Sequence, residues 1–469
     1  KASPANKYSL IFWDHGAGWP GFGGDDTCTN CLGLMTLPHI DRGIQLGLAA
    51  VNMSKFDLLG FDACLMAAYE VVAQLSKHCD HYLASEELEP GHGWDYRSLR
   101  LLVGNPTASP AEVAKQFADD FLAQARTKGT NTISLAHVDI SKWSAFDAAF
   151  GELMSALIVK TNEEDAQVLS ALSRSRQQSL EMMPGYESEG IDQGSMLDAM
   201  AGNLPGDLAA KASTALAAYN ELIVYFVKDE LMQWGTGLSI YWPNPSYFYK
   251  SSYDTLDMSQ VEEWRGLLKD YWAALGDAVL PGAEVAGYQF DEMFVEPTLV
   301  ADSAGLNTYT MQGKLEGANA DATTAANLFF GWSVRTEEGA EKELWIGDVW
   351  AEVVGKQVQA TWDGQVWGVS QEGLPASPLF AAYVDSAGTG EIVLQAPVNY
   401  SATSCDPAAT WQQGFLHIVR RADSSTTAQL FVKSENEQGL VSEVSAEVGG
   451  VFKPFIYAQI TELADTGAG

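Results

Sequence analysis

Two stretches of this chain end on residues able to carry out acyl transfer. Residues 8–16, YSLIFWDHG, close on His15 and Gly16, and residues 56–64, FDLLGFDAC, close on Asp62, Ala63 and Cys64. A thiolate is a strong nucleophile once a neighbouring group has taken its proton, and imidazole is a common base for that task. A Cys and a His at adjacent strand ends therefore form a dyad for attack on a carbonyl, with Cys64 as nucleophile and His15 as general acid and base. Gly16 has no side chain to keep a carbonyl oxygen from its N–H. Cys64 is expected to open a helix, where the first amides lack partners and the dipole is positive. Gly16 and Cys64 are thus the expected oxyanion donors. Taken singly, a Cys is most often a core residue and a His a structural one; the pairing, with Gly after the His and Asp two before the Cys, carries the argument. His39, His78, His81, His92, His137 and His417 have no comparable setting and read as structural or surface residues.

Positioning such a pair requires two neighbouring strands that run the same way. Residues 8–13 and 56–61 read as short apolar strands, with a helical period over 37–51 between them. A second helix is expected over 64–77, with Leu65, Ala68, Tyr69, Val72 and Leu75 on one face. Further strands are expected at 81–84, 133–138 and 238–242, and helices around 110–126, 141–158, 205–228 and 258–275. Such alternation predicts right-handed βαβ units, and hence an α/β sandwich: a mostly parallel sheet flanked by helices, with ligands at the carboxyl ends of its strands. Past Pro281 and Gly282 the texture changes to short aromatic or β-branched runs separated by turn residues, with Asp363 and Gly364 as a hairpin signal. The expected organisation is an α/β domain over 1–282 followed by an all-β, sandwich-like domain over 283–469. In the latter, Trp332, Trp345, Trp350, Trp362 and Trp367 alternate as core residues of strands would.

Charge excludes several classes of partner. The 61 acidic and 27 basic side chains give a net charge of −34, which opposes binding to nucleic acid or to an anionic membrane surface, while favouring solubility and basic peptides. Apolar residues make up 46% of the chain and charged ones 19%, enough for a core and unlike an acidic disordered tail. Five cysteines do not make a disulfide scaffold, and Cys28 and Cys31 lack the second ligand pair of a zinc site. No run reaches the roughly 20 apolar residues of a membrane-spanning helix. The first residues also lack the basic and apolar regions of a signal peptide, so a secreted form would carry its signal upstream of Lys1.

Longer strings bring a resemblance. The His-Gly and Asp-Ala-Cys elements resemble the clan of cysteine peptidases that includes caspases, legumain, gingipains and clostripain. In caspases the His precedes the Cys by about 50 residues; here the interval, 64 minus 15, is 49. Residues 13–19 (WDHGAGW), 58–66 (LLGFDACLM), 84–96 (ASEELEPGHGWDY) and 237–243 (GLSIYWP) resemble the clostripain-like (C11) peptidases, over roughly residues 5–280. The resemblance implies a caspase-like fold and a secreted or cell-surface bacterial enzyme that hydrolyses peptides through a Cys thioester, often after Arg or Lys, without a cofactor. It carries a role in the basic specificity pocket onto Asp62, where a carboxylate can bind a guanidinium through paired hydrogen bonds. Glu86, Glu87, Glu89 and Asp95 are candidates to line the same pocket, the alternative being solvated loop charges.

Departures from the family pattern set further expectations. Relatives carry a longer stretch before the His-bearing strand, including the first strands of the sheet, so a non-covalent N-terminal light chain is expected. Residues 16–41 contain no Lys or Arg, which argues against self-cleavage there and leaves a cut before Lys1. Some relatives need calcium, and Asp25 and Asp26 offer oxygen ligands, yet without the spaced acids of an EF-hand loop. Leu463 to Gly467 (LADTG) resembles a sortase signal but lacks the apolar segment and basic tail. The alternative to a peptidase is a cell-surface binding protein that works through its β-domain, with the α/β domain as scaffold or latent enzyme.

Overall fold

The apolar run Ser9–Trp13 forms β1 and the run Phe56–Asp62 forms β2, and the two pair in parallel from Ser9 opposite Leu58 to Trp13 opposite Asp62. Between them α1 (Leu37–Ala50) makes the crossover. Pro38 in its first turn is preset for helix, and Leu37, Ile40, Ile44 and Leu48 form the stripe it buries. The computed structural model describes residues 4–24, 33–128, 133–182, 190–229, 232, 235–243 and 249–274, and beyond them chiefly the strands between 289 and 459.

After β2 come α2 (Tyr69–Leu75), β3 (Cys79–Ala84), α3 (Leu101–Gly104), α4 (Pro110–Lys128), β4 (Ser134–Asp139), α5 (Trp143–Asn162) and α6 (Ala166–Gln178). Then follow β5 (Glu181–Met182), β6 (Gly190–Asp192), α7 (Gln193–Asn203), α8 (Gly206–Leu222), β7 (Ile223–Lys228), β8 (Ser239–Tyr241) and α9 (Ser259–Ala274). Among the described residues the main sheet has the order β1-β2-β3-β4-β7. β2 and β3 also pair in parallel, whereas β3–β4 and β4–β7 are antiparallel. The sheet is therefore mixed, a correction to the mostly parallel expectation. Residues 85–109 carry the chain away before α4 begins, so that β4 starts beside the carboxyl end of β3, where the Ser85 and Ser134 hydroxyls meet at 2.9 Å.

Helices cover both faces, as the alternation of side chains along each strand requires. Leu59, Phe61, Tyr82, Ala84 and Val138 point to one side, into a core shared with buried residues of α1, α2, α5, α7, α8 and α9. Leu58, Leu83, Leu135 and Val227 point to the other, against Ala114, Phe117, Ala118, Phe121 and Ala125 of α4. Each fully buried Phe or Leu contributes about 1.5–3 kcal/mol, so these two layers hold the strand ends in place.

Three local expectations are corrected. The helix expected over 64–77 begins at Tyr69. The helix expected over 205–228 stops at Leu222, and Ile223–Lys228 (IVYFVK) is strand, as suits a β-branched and aromatic run. Residues 239–241 lie in a separate three-stranded antiparallel sheet, β5-β6-β8, and α6 and α7 have no counterpart in the sequence reading.

By contacts the chain divides into one unit of Lys1–Ala283 with Lys433–Glu443, and another of Glu284–Val432 with Val444–Gly469. The second is all-β among its described residues, and its strands pair antiparallel. One sheet is built on Ala326–Arg335 against Glu341–Val354, another on Glu391–Ser401 against Gln412–Arg420. Val398, Tyr400, Leu416, Leu430 and Val432 form a small core there. Asp363, Gly364 and Trp367 lie outside the described residues, as do the side chains of Trp332, Trp345, Trp350 and Trp362. No helix among the described residues is long and apolar enough to cross a membrane.

Candidate active site

β1 and β2 end at the same level, just before His15 and Cys64. Trp13 lies opposite Asp62, an offset of 62 minus 13, or 49 residues, and His15 and Cys64 each follow two residues later. Beyond Trp13 the chain folds back on itself: Gly16 bridges Phe22, which bridges Met35, and the Gly23 N–H donates to the His15 carbonyl at 2.8 Å. Gly18 and Gly23 have φ of +71° and +72°, which L side chains adopt only at a cost. Trp19 pins this loop from below, its ring against Tyr241 and Tyr253. Gly16 packs directly on the Cys64 carbonyl and the Ala63 side chain. A Cβ on Gly16 would lie 2.2 Å from the Cys64 carbonyl oxygen and 3.1 Å from the Ala63 Cβ.

That contact yields a prediction. Gly16→Ala forces a backbone shift, since the opposing atom is a carbonyl oxygen rather than a flexible side chain. Overpacking of this kind costs about 1–3 kcal/mol. A displacement of His15 by ~1 Å is worth about 10²-fold in rate. Thermal melting and peptide hydrolysis should both fall, and a variant with native rates would remove the case for this close approach.

Cys64 lies ahead of the helix rather than in it, so the helix-dipole part of the sequence argument does not hold: α2 starts five residues later, with Ala68 as its N-cap. Residues 64–67 instead pair with the segment after β3. The Leu65 N–H donates to the Glu87 carbonyl at 3.1 Å and the Ala67 N–H to the Ser85 carbonyl at 2.8 Å. Leu65 is left-handed, φ +63°, a strained conformation at the residue that follows the thiol. The Glu89 N–H donates to Cys64 Sγ at 3.2 Å, and Sγ lies 3.7 Å from the Glu89 carbonyl oxygen. Burial, with the charges of Glu89 and Glu87 adding to it, pushes the Cys64 thiol up to about 12.

Asp62, at the last position of β2 and two residues before this thiol, is buried. Its Oδ1 accepts from the Trp94 N–H at 3.0 Å and its Oδ2 from the Tyr96 hydroxyl at 3.0 Å. The Trp94 indole N–H donates to Glu89 Oε1 at 3.0 Å. Two glycines make room: a Cβ on Gly60 would lie 3.1 Å from the Trp94 ring, and one on Gly93 (φ +60°) would lie 3.0 Å from Asp62 Oδ1. Phe117 of α4 holds the Trp94 and Tyr96 rings from the other side. Burial raises the Asp62 carboxyl above its ordinary range, against its hydrogen bonds to Glu89, Tyr96 and Trp94. Burial first, and the Asp62 charge second, hold Glu89 well above its ordinary range. Two buried carboxyls that face each other each oppose the ionisation of the other.

The other acids named from sequence are engaged elsewhere. Glu86 is turned to the far loop, where its Oε2 accepts from the Gly237 N–H at 3.0 Å and its carboxyl neighbours that of Asp192. Glu87 accepts from the Leu88 N–H at 2.8 Å. Asp95 caps the short turn Tyr96–Arg100 and holds the Arg97 side chain through Nε at 2.8 Å. The structure thus joins Asp62 with Glu89, and does not join Glu86 or Asp95 to it. Trp94 and Tyr96 were missed as partners of Asp62, although the clustered GHGWDY run marked the loop. Glu70 was also missed: fully buried, it accepts from the Tyr241 N–H at 3.0 Å and the Tyr253 hydroxyl at 2.8 Å, which fixes α2 behind the site. Asp25, Asp26, Cys28, Cys31, Cys405 and Leu463 to Gly467 lie outside the described residues.

Residues 1–272 match the family model described as the clostripain family. Among similar solved structures is a secreted C11 cysteine protease from Bacteroides thetaiotaomicron in complex with an irreversible peptide inhibitor. It shares 20% identity over 59% of this chain and 74% of that one, at a TM-score of 0.40. An inactive zymogen C11 protease from Parabacteroides distasonis shares 17% over 58% and 70%, at 0.34. A B. fragilis cysteine protease shares 17% over 52% and 98%, at 0.35. No curated protein matched.

Proposed function

The chain belongs to the clostripain family and is a cysteine peptidase; from that premise we propose that Cys64 is its nucleophile, His15 its general acid and base, and Asp62 with Glu89 its pocket for Arg or Lys. The reading is supported most directly by the strand register, which ends β1 and β2 at one level two residues before His15 and Cys64, with Gly16 against the Cys64 carbonyl. Sγ attacks the scissile carbonyl as His15 takes the thiol proton. The Gly16 and Cys64 N–H groups hold the oxyanion, and His15 returns the proton to the leaving amine. Water, deprotonated by His15, then opens the thioester and frees Cys64. Protein groups carry every one of these steps.

Among the described residues no Lys or Arg is bonded to the buried acidic pair of Asp62 and Glu89, and His92 is the base that acts on it, an arrangement that suits a guanidinium or ammonium ion. The wider proposal is a caspase-like α/β unit in an endopeptidase secreted or displayed at the surface of a bacterium. It includes an N-terminal light chain on the outer edge of β1, whose described strand neighbour is β2 alone. Fluorogenic peptides ending in Arg, Lys, Asp or Ala test the specificity. Cleavage confined to Arg and Lys is the expected result, and cleavage confined to Asp or Ala would refute the acidic pocket.

A further inference from the structure

Glu89 stands in two places at once. Its carboxyl is in the acidic pair with Asp62, held by the Trp94 indole, while its backbone N–H and carbonyl bracket Cys64 Sγ at 3.2 and 3.7 Å. The thiol is buried by this bracket, with 7% of the residue exposed, and a buried, protonated sulfur cannot reach a carbonyl. The segment upstream is pinned, since Ser134 Oγ accepts from the Glu86 N–H at 3.2 Å and from the Glu87 N–H at 3.3 Å. Downstream, Gly91 and Gly93 flank His92 before the chain reaches the Trp94 and Tyr96 contacts to Asp62. Gly93 packs against Asp62 itself, so the pair is closed over in this form.

We propose that a cationic side chain entering between Asp62 and Glu89 moves the Glu89–Trp94 segment and withdraws the Glu89 backbone from Cys64, so that recognition of the basic residue uncovers the nucleophile. Glu89 is then a positioning residue: its side chain senses the cation and its main chain guards the sulfur. Any proton the carboxyl pair holds leaves to solvent as the cation arrives, and the thiol proton passes to His15. The inference rests on the proposed Arg or Lys preference and adds to it a response of the sulfur to occupancy of a pocket it does not itself line.

The two can be tested apart with agmatine, a guanidinium compound that has no carbonyl to attack. Its binding is measured by calorimetry, and iodoacetamide labelling of Cys64 and Cys79 is followed by mass spectrometry with and without it. Cys79, also buried, lies at the opposite end of the sheet, at the start of β3. Saturating agmatine is expected to speed labelling of Cys64 by about 5- to 150-fold, the usual span of coupling between two sites, with Cys79 unchanged. In Glu89→Gln, which keeps an acceptor for the indole but not the charge, the acceleration should disappear, and Glu89→Asp should recover part of it. Binding with no acceleration, or with protection of Cys64, overturns the coupling and leaves the specificity standing. Equal acceleration of Cys79 assigns the effect to general loosening and overturns it as well. Absence of binding overturns the Arg or Lys preference and the coupling with it.

Discussion

Cys64→Ala should reduce peptide hydrolysis by about 10⁴-fold or more in kcat, since loss of a covalent nucleophile removes the reaction path and not one contact on it. The variant should remain folded, because a small buried side chain is replaced by a smaller one in a segment held mainly by backbone bonds to Ser85 and Glu87. No other described thiol can stand in: Cys79 begins β3, at the end of the sheet away from His15. His15→Ala should be less severe, about 10²- to 10⁴-fold, as general acid and base catalysis is ordinarily worth. Initial rates on the best fluorogenic peptide, with melting curves for both variants, check the ordering. Substantial turnover by folded Cys64→Ala would move the chemistry away from this strand end.

Asp62→Asn is the second large effect, and it should be selective. Asn keeps one acceptor oxygen, for the Trp94 N–H, and its NH2 can donate to the Tyr96 hydroxyl oxygen in place of the bond it accepts there, so the loop contacts survive with one of them reversed. What disappears is the charge proposed to face a substrate cation. Removing one partner of a buried ion pair costs about 3–5 kcal/mol, or more than ~10²-fold in kcat/KM for peptides ending in Arg or Lys. Peptides with an uncharged end residue should change little, and the preference ratio should collapse. Equal loss on all substrates would instead mean that Asp62 serves the fold. Either way, kcat/KM measured on paired basic and neutral substrates separates the two roles.

Much of this site was legible because it depends on short-range pattern. Two short apolar runs marked β1 and β2, and the helical period over 37–51 marked α1, whose buried stripe is Leu37, Ile40, Ile44 and Leu48. The missed features depend on long-range competition. Residues 64–68 have a helical apolar pattern, but their amides find partners at Ser85 and Glu87, and the helix is delayed to Tyr69. The antiparallel turn of β4 follows from the route of residues 85–109, which no periodicity encodes. Glu89 and Glu86 are three residues apart in one acidic string, and only the fold decides that one carboxyl meets Asp62 and the other Gly237. Acids are usually exposed, so nothing in the sequence marked Glu70 or Asp192 as buried, and Glu86 and Glu89 stood out only through the family resemblance.

The shared offset of β1 and β2 changes what the 49-residue interval means. It is a sum of crossover lengths, and lengthening the connection around α1 would alter it without separating His15 from Cys64. A slip of one residue between β1 and β2 would move the two apart by about 3.3 Å and turn alternate side chains to the wrong face. The quantity under constraint is thus phase, not distance along the chain. Distant relatives with loops of very different size can therefore assemble the same pair, provided the ladder between the two strands stays in step.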